Sequence, residues 1–260
     1  MMNCFIFSSF NVTKIKYLSR ERGKNKGKSL FFCLLIVISC SHITYSQNVT
    51  SSVKVKKLQV IRTVEAYKKS IQTDSNNRMV LLKNVDNHIV TDLKYATSNN
   101  FTKQVLYKNP KAYLRYPVAV ALKEINNFLR KSGYALKIYD AYRPYYVTKK
   151  MWEVVKDHHY VANPAKGSGH NRGASVDLTL INLATGKELP MGTDFDDFTI
   201  KAGHLYNKLP KEILDNRTLL KTVMQQHGFE ALKTEWWHYI YRGSQKFELL
   251  NLNFDELEKL

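Results

Sequence analysis

Two stretches of the chain carry side chains whose types and spacing suit metal-assisted hydrolysis. The first, Ser168-Gly-His-Asn-Arg-Gly-Ala-Ser-Val-Asp177, holds an imidazole and a carboxylate with six residues between them. The second, Glu235-Trp-Trp-His238, holds a carboxylate and an imidazole at i and i+3. A catalytic zinc site commonly keeps three protein ligands and one position for water. His170, Asp177 and His238 fill the ligand roles. Glu235 is then left to take a proton from the activated water and pass it to the leaving amine. Arg143 follows a strand-like run and offers a permanent positive charge for the developing oxyanion.

Singly, each residue has a plainer reading. His170 in a Gly-rich stretch reads as a loop residue, Arg143 as a salt-bridging residue near a turn, and Glu235 with His238 as a hydrogen-bonded pair packed beside two tryptophans. Asp177 says more, because Asp is disfavoured inside a strand unless it has a partner. Of the other histidines, His158, His159 and His204 read as surface or loop residues, and His88 and His227 as residues that border elements. Cys4, Cys33 and Cys40 all lie within the first 46 residues. A chain starting at Gln47 would therefore have no thiol to serve as ligand or nucleophile.

These residues need elements to position them. A helix is expected near Thr63–Gln72, and two short β-like runs between Met79 and Tyr95 around a turn at Asp86-Asn87. The spacing predicts a helix over 117–131, with Pro117 in its first turn and Gly133 as its stop. Leu136–Asp140 alternates as a strand and runs into Ala141-Tyr-Arg-Pro144, where Pro144 starts another helix. Ser175–Leu180 alternates cleanly: Val176, Leu178 and Leu180 face one side, and Ser175, Asp177 and Thr179 the other. A further helix is expected over Lys211–Gln226, ended by Gly228. Residues 247–260 look like a short amphipathic tail. Trp236–Tyr241 reads as strand, in which Glu235 and His238 would point to opposite faces. Glu235 must therefore sit in a turn before the strand, or a bulge must re-aim it. The whole reads as one α+β domain with a small, mainly antiparallel sheet flanked by helices.

With 44% hydrophobic and 12% aromatic residues, the 260-residue chain can bury a core. The net charge of +18 is partly local, since residues 1–46 carry seven lysines and arginines against Glu21 alone. The remaining basic residues are scattered, with no zinc finger, basic zipper or RNA-binding signature, so no nucleic-acid partner is expected. The apolar run over 29–41 is shorter than the roughly 20 residues that span a bilayer, but fits the core of a secretory signal. Residues 1–46 thus read as a secretion leader and 47–62 as a polar tether, leaving 63–260 as the catalytic domain. Two processing routes fit: cleavage before Gln47, or a lipoprotein-type route that leaves a lipid anchor on Cys40. Either places the protein outside the cytoplasm, in the periplasm or cell envelope, with no transmembrane span. Nothing in the sequence specifies an oligomeric state.

Asp140-Ala-Tyr-Arg-Pro144, the His170 segment and Glu235-Trp-Trp-His238 occur together in one order. In this the chain resembles the zinc-dependent D-alanyl-D-alanine dipeptidases of the VanX type, relatives of zinc D-Ala-D-Ala carboxypeptidases and of the Hedgehog signalling-domain fold. The resemblance runs from about Val80 to Tyr241. Asp92–Phe101 and Gly186–Asp196 favour the dipeptidase branch. It implies one zinc ion held by His170, Asp177 and His238, Glu235 as general base and acid, and Arg143 stabilising the transition state. It also implies Tyr95, Ser168 and Asp196 as substrate-binding residues, with Asp196 meeting the free ammonium. Ser175 stands where alanine is usual in the family and Lys103 where glycine is common. The implied reaction is hydrolysis of the D-Ala-D-Ala dipeptide to two D-alanines. Two other readings are a D,D- or L,D-carboxypeptidase acting on peptidoglycan stem peptides, and a noncatalytic zinc-binding recognition module.

Overall fold

Residues 58–157 and 160–260 are described in the computed structural model. The leader, residues 47–57 and His158-His159 lie outside the described residues. In chain order the elements are β1 (Val60–Ile61), α1 (Val64–Thr73), β2 (Met79–Leu81), α2 (Leu82–Val85), β3 (Val90–Thr91), β4 (Tyr113–Arg115), α3 (Tyr116–Arg130), β5 (Tyr134–Asp140), α4 (Tyr145–Val154), β6 (Ser175–Asn182), α5 (Lys211–Gln226), β7 (Phe229–Ala231), β8 (His238–Tyr241), β9 (Leu249–Leu250) and α6 (Phe254–Glu258).

Local signals place most of these boundaries. Thr63 caps α1 by accepting from the Ala66 amide at 3.2 Å. Pro117 lies in the first turn of α3, and α4 begins directly after Pro144. Past α5, Gly228 takes the left-handed φ of 89° that a helix stop requires. Two expectations need correction. The runs between Met79 and Tyr95 are cut short by α2 and by a 3-10 turn over Lys94–Ala96. The C-terminal residues do more than form a short amphipathic tail: β9 pairs with β1, and Leu250, Leu252, Phe254 and Leu257 are buried. An Asn253/Glu256 capping box starts α6.

The main sheet has five strands in the order β3-β5-β6-β8-β7. Only β3 and β5 run parallel; the other neighbours are antiparallel. Two-stranded pairs β1-β9 and β2-β4 complete a mixed α+β domain. Its largest core joins Val176, Leu178 and Leu180 of β6 to Leu122 and Ile125 of α3 and to Leu220, Val223 and Met224 of α5. Leu122 and Ile125 are fully buried, so truncating either to alanine would cost roughly 2–5 kcal/mol. Tyr67, Tyr95, Tyr107, Tyr142 and Phe254 belong to a second cluster. Ser175, Asp177 and Thr179, on the other face of β6, are also buried. They lie beneath the segments that build the site.

Candidate metal centre and active site

Asp177 sits at the middle of a row across three strands. In the β5-β6 ladder it is paired with Asp140, and in the β6-β8 ladder with His238. The register shifts between Ile138 and Asp140, a bulge that brings Asp140 directly opposite Asp177. Two buried carboxylates side by side would repel. Arg143 lies between them, with Nε and Nη2 donating to Asp140 Oδ2 at 3.0 and 2.7 Å and Nη2 lying 3.9 Å from Asp177 Oδ2. Burial opposes the Arg143 charge, but Asp140 together with Tyr95, Tyr107 and Asp177 outweighs it and holds its pKa above the ordinary value.

The His170 loop closes over this row. A 3-10 turn spans His170–Arg172 and ends at Gly173, whose φ of 66° is left-handed. His170 Nδ1 lies 2.7 Å from the carbonyl oxygen of Ala141. That carbonyl can only accept, so Nδ1 carries the proton and Nε2 is left with its lone pair. Nε2 lies 3.4 Å from Asp177 Oδ2 and 3.3 Å from His238 Nδ1, while His238 Nδ1 lies 2.8 Å from Asp177 Oδ1. Among the described residues, His170, Asp177 and His238 form a group able to hold a metal ion. The donor set fits zinc: two neutral imidazoles and a carboxylate. Two of the separations match the edge of a tetrahedron with bonds of about 2.0–2.1 Å, which is roughly 3.3–3.4 Å. Burial works against ionisation of Asp177, but attraction to His170 and His238 in their charged forms outweighs it, and its pKa falls below the carboxylate range.

Glu235 lies outside the strand. β8 starts only at His238, and the Glu235 amide donates to the Leu232 carbonyl in the preceding turn. Its Oε2 comes to 3.9 Å from His238 Nδ1. The turn therefore re-aims Glu235, and the bulge belongs to β5 instead. Burial, and the nearby charges of Asp177 and Asp196, raise the Glu235 pKa to about 7.

Tyr95 and Asp196, 101 positions apart, meet beside this group, with the Tyr95 hydroxyl 3.0 and 3.2 Å from the two carboxylate oxygens. The Arg143 guanidinium lies 5.1 Å from the centre of the Tyr95 ring. Asp196 takes a left-handed φ of 60°. Burial first, and then the charge of Asp177, raise its pKa to about 8. Ser168 Oγ accepts from the His170 amide at 3.1 Å, so it shapes the His170 loop. Asp196, Phe195 and Thr179 also line a cavity of about 1020 Å³ that continues past Lys94, Lys103 and Glu188.

Three contributors were not foreseen from the sequence. Asp140 orients Arg143 and accepts from the Tyr107 hydroxyl at 2.6 Å; its place in Asp140-Ala-Tyr-Arg143 was the available signal. Asn171 is fully buried. It ties the His170 loop to the Arg143 segment by donating to the Arg143 carbonyl at 2.8 Å and accepting from the Ser168 amide at 2.9 Å. The Ala141 carbonyl leaves no trace in residue type. Both departures noted in the sequence have structural counterparts. Lys103 takes φ 55°, a left-handed conformation that favours glycine, and the Ser175 hydroxyl is buried without a partner.

Residues 75–257 match the Peptidase M15 family model, described as D-ala-D-ala dipeptidase. The D-alanyl-D-alanine dipeptidase of Escherichia coli strain K12 is 33% identical over 61% of this chain and 82% of its own length. That of Enterococcus faecium is also 33% identical, over 58% of this chain and 85% of its own. A solved structure, VanYB in complex with D-Alanine-D-Alanine, superposes with a TM-score of 0.34 at 14% identity, covering 54% of this chain and 77% of that one.

Proposed function

The chain belongs to the D-Ala-D-Ala dipeptidase family of M15 peptidases, a family of hydrolases, and from that membership we propose that it cleaves the D-alanyl-D-alanine dipeptide to two D-alanines. The observation that carries this reading is the convergence of His170, Asp177 and His238, with Glu235 and Arg143 each 3.9 Å from a member of that group.

His170, Asp177 and His238 would hold one zinc ion. Zinc bound there supplies a Lewis acid for the scissile carbonyl and lowers the pKa of water towards neutrality. Glu235 takes the proton of the attacking water and hands it to the departing amine; a buried carboxylate with a raised pKa suits both directions of transfer. Arg143, held by Asp140, faces the negative charge that develops on the carbonyl oxygen. Asp196, supported by Tyr95, receives the free ammonium of the dipeptide. Ser168 keeps the His170 loop in place beside the substrate.

The neighbouring cavity favours a second reading. At about 1020 Å³ it stands at the upper end of ordinary small-molecule sites and has room for a longer peptide, as a D,D- or L,D-carboxypeptidase acting on peptidoglycan stems would need. Incubating zinc-loaded protein with D-Ala-D-Ala and with a stem pentapeptide, each with and without chelator, separates the two. Chelator-sensitive cleavage of the dipeptide, with the pentapeptide spared, is expected. The reverse preference would install the carboxypeptidase, and no cleavage of either would remove both.

The reading extends to the whole chain: a leader over 1–46, a tether that ends before β1 at Val60–Ile61 rather than at residue 62, because β1 pairs with β9, and the peptidase domain from there to 260, exported to the periplasm or cell envelope. The apolar run after a lysine-rich stretch supports export. The mass of the mature N-terminus tells cleavage before Gln47 from lipidation at Cys40, and an unprocessed Met1 would contradict export.

A further inference from the structure

Successive residues of β8 point to opposite faces of the sheet. His238 turns to the candidate metal centre, and Tyr239 turns beneath α5 into the core beside Leu220, Val223 and Met224. There three buried polar atoms have no partner in the protein: the Tyr239 hydroxyl, Arg217 Nη2 and His204 Nε2. The rings of His204 and Tyr239 are 6.2 Å apart. Arg217 reaches the same place from α5. Its Nη1 donates to the carbonyl of Gly203, the residue before His204, at 3.2 Å, and to that of Lys201 at 2.9 Å, while Nε donates to that of Met191 at 2.7 Å. His204, read from the sequence as a surface or loop residue, thus brings a buried ring nitrogen to this group.

Tyr239 is fully buried and Arg217 is 5% exposed. Buried polar atoms are nearly always paired, and orphans ask for an explanation. Every hydrogen bond that Arg217 makes goes to a neutral carbonyl, and no ion pair neutralises it among the described residues. A buried charge without a counter-charge is costly. Guanidinium can only donate, and a phenol and a neutral imidazole can both donate as well. A water could bridge them by accepting from Arg217 and donating to the phenol and the imidazole, but it would leave the guanidinium charge without a counter-charge, whereas an anion accepts from all three and supplies one.

We propose that His204, Arg217 and Tyr239 bind one small monovalent inorganic anion of the halide class behind the catalytic turn. One guanidinium charge sets the valence, and the packed core around Tyr239 sets the size. Burial first, and then the positive charges of Lys221 and Arg217, lower the His204 pKa to about 4, so the imidazole stays neutral and able to donate. The anion fastens the segment around His204 to α5. That segment in turn braces the turn that holds Glu235, because the Trp236 amide donates to the Ala202 carbonyl and the His204 amide to the Lys233 carbonyl, each at 3.0 Å.

The test uses the full mature protein and no substrate, so its outcome is independent of the peptidase reading. Thermal melts are run in sodium chloride, sodium bromide and sodium gluconate at matched ionic strength, with Tyr239→Phe alongside, and crystals are soaked in bromide. A saturable rise in Tm is expected with both halides but not with gluconate, roughly 5–10 °C at a hundredfold excess over Kd. Tyr239→Phe should lose most of that rise. Bromide should give an anomalous peak within hydrogen-bond reach of Arg217 Nη2. Equal melting in all three salts, or no anomalous peak at this position in the wild-type crystal, would overturn the proposal even if the variant failed to fold.

Discussion

Asp177 and His238 are direct cross-strand partners in the β6-β8 ladder, and their side chains meet with Oδ1 2.8 Å from Nδ1. The sheet thus supplies two of the three candidate ligands as a preformed pair, and the His170 loop adds the third. A metal that binds the folded site stabilises it by mass action, by about 3 kcal/mol at a hundredfold excess over Kd. Chelation should therefore lower Tm and zinc should restore it. Asp177→Asn should lose this response, and a zinc response kept by that variant would exclude Asp177 as a ligand.

The proposed role of Glu235 as a base requires it to be ionised. Burial raises its pKa to about 7 from the usual 4.5, and a neighbouring divalent cation lowers it again. As pH rises, kcat/KM should climb with unit slope through a pKa between those limits. Glu235→Gln should abolish that limb and cut kcat by about 10²–10⁴-fold while zinc stays bound. An unchanged acid limb in the variant would assign the ionisation elsewhere.

Asp140 contacts Arg143 through two guanidinium nitrogens and is itself fully buried. Removing one partner of a buried ion pair costs about 3–5 kcal/mol. Asp140→Asn should lower stability by that order in urea melts, and it should also lower kcat because Arg143 loses its aim. Paired with Arg143→Lys, the losses should combine less than additively. Additive losses would mean that Asp140 does not act through Arg143.

Asp196 should show itself in substrate binding. A charged hydrogen bond contributes about 1.5–3 kcal/mol, so at a pH above the Asp196 pKa of about 8 Asp196→Asn should raise KM for the dipeptide by roughly 10- to 100-fold. A dipeptide analogue without its amino group should bind wild type and variant equally. A variant with unchanged KM would place the ammonium elsewhere.

Ser175 fills the space beside Gly169, where an added Cβ would lie 1.9 Å from its hydroxyl oxygen. That hydroxyl has no partner. Ser175→Ala should therefore stabilise the protein by about 1 kcal/mol, roughly 2–4 °C in Tm, with the β6 register intact. A loss of stability would reveal a bond to the hydroxyl.

Local chemistry made much of this protein legible before folding. Pro117, Pro144, Gly133 and Gly228 set the limits of helices because their effects act within a turn or two. The alternation of β6 put Val176, Leu178 and Leu180 on the core side, and the absence of cysteine after Cys40 narrowed the ligands to His and carboxylate. The clash between strand periodicity and the Glu235/His238 spacing already required Glu235 to leave the strand. Runs as short as Met79–Leu81 and Leu249–Leu250 were harder to read, because periodicity needs more residues than they offer.

Only the tertiary structure decided which groups meet. The row Asp140, Asp177, His238 depends on the register of three strands and on a bulge in β5, and register follows from the packing of a whole face. The Ala141 carbonyl that orients His170, and the meeting of Tyr95 with Asp196 across 101 positions, depend on backbone paths that no residue type encodes. The sequence determined which donors and acceptors this protein possesses, since those are properties of single side chains. Their distances, burial and pKa values came from long-range contacts, because each depends on the groups the fold packs around it.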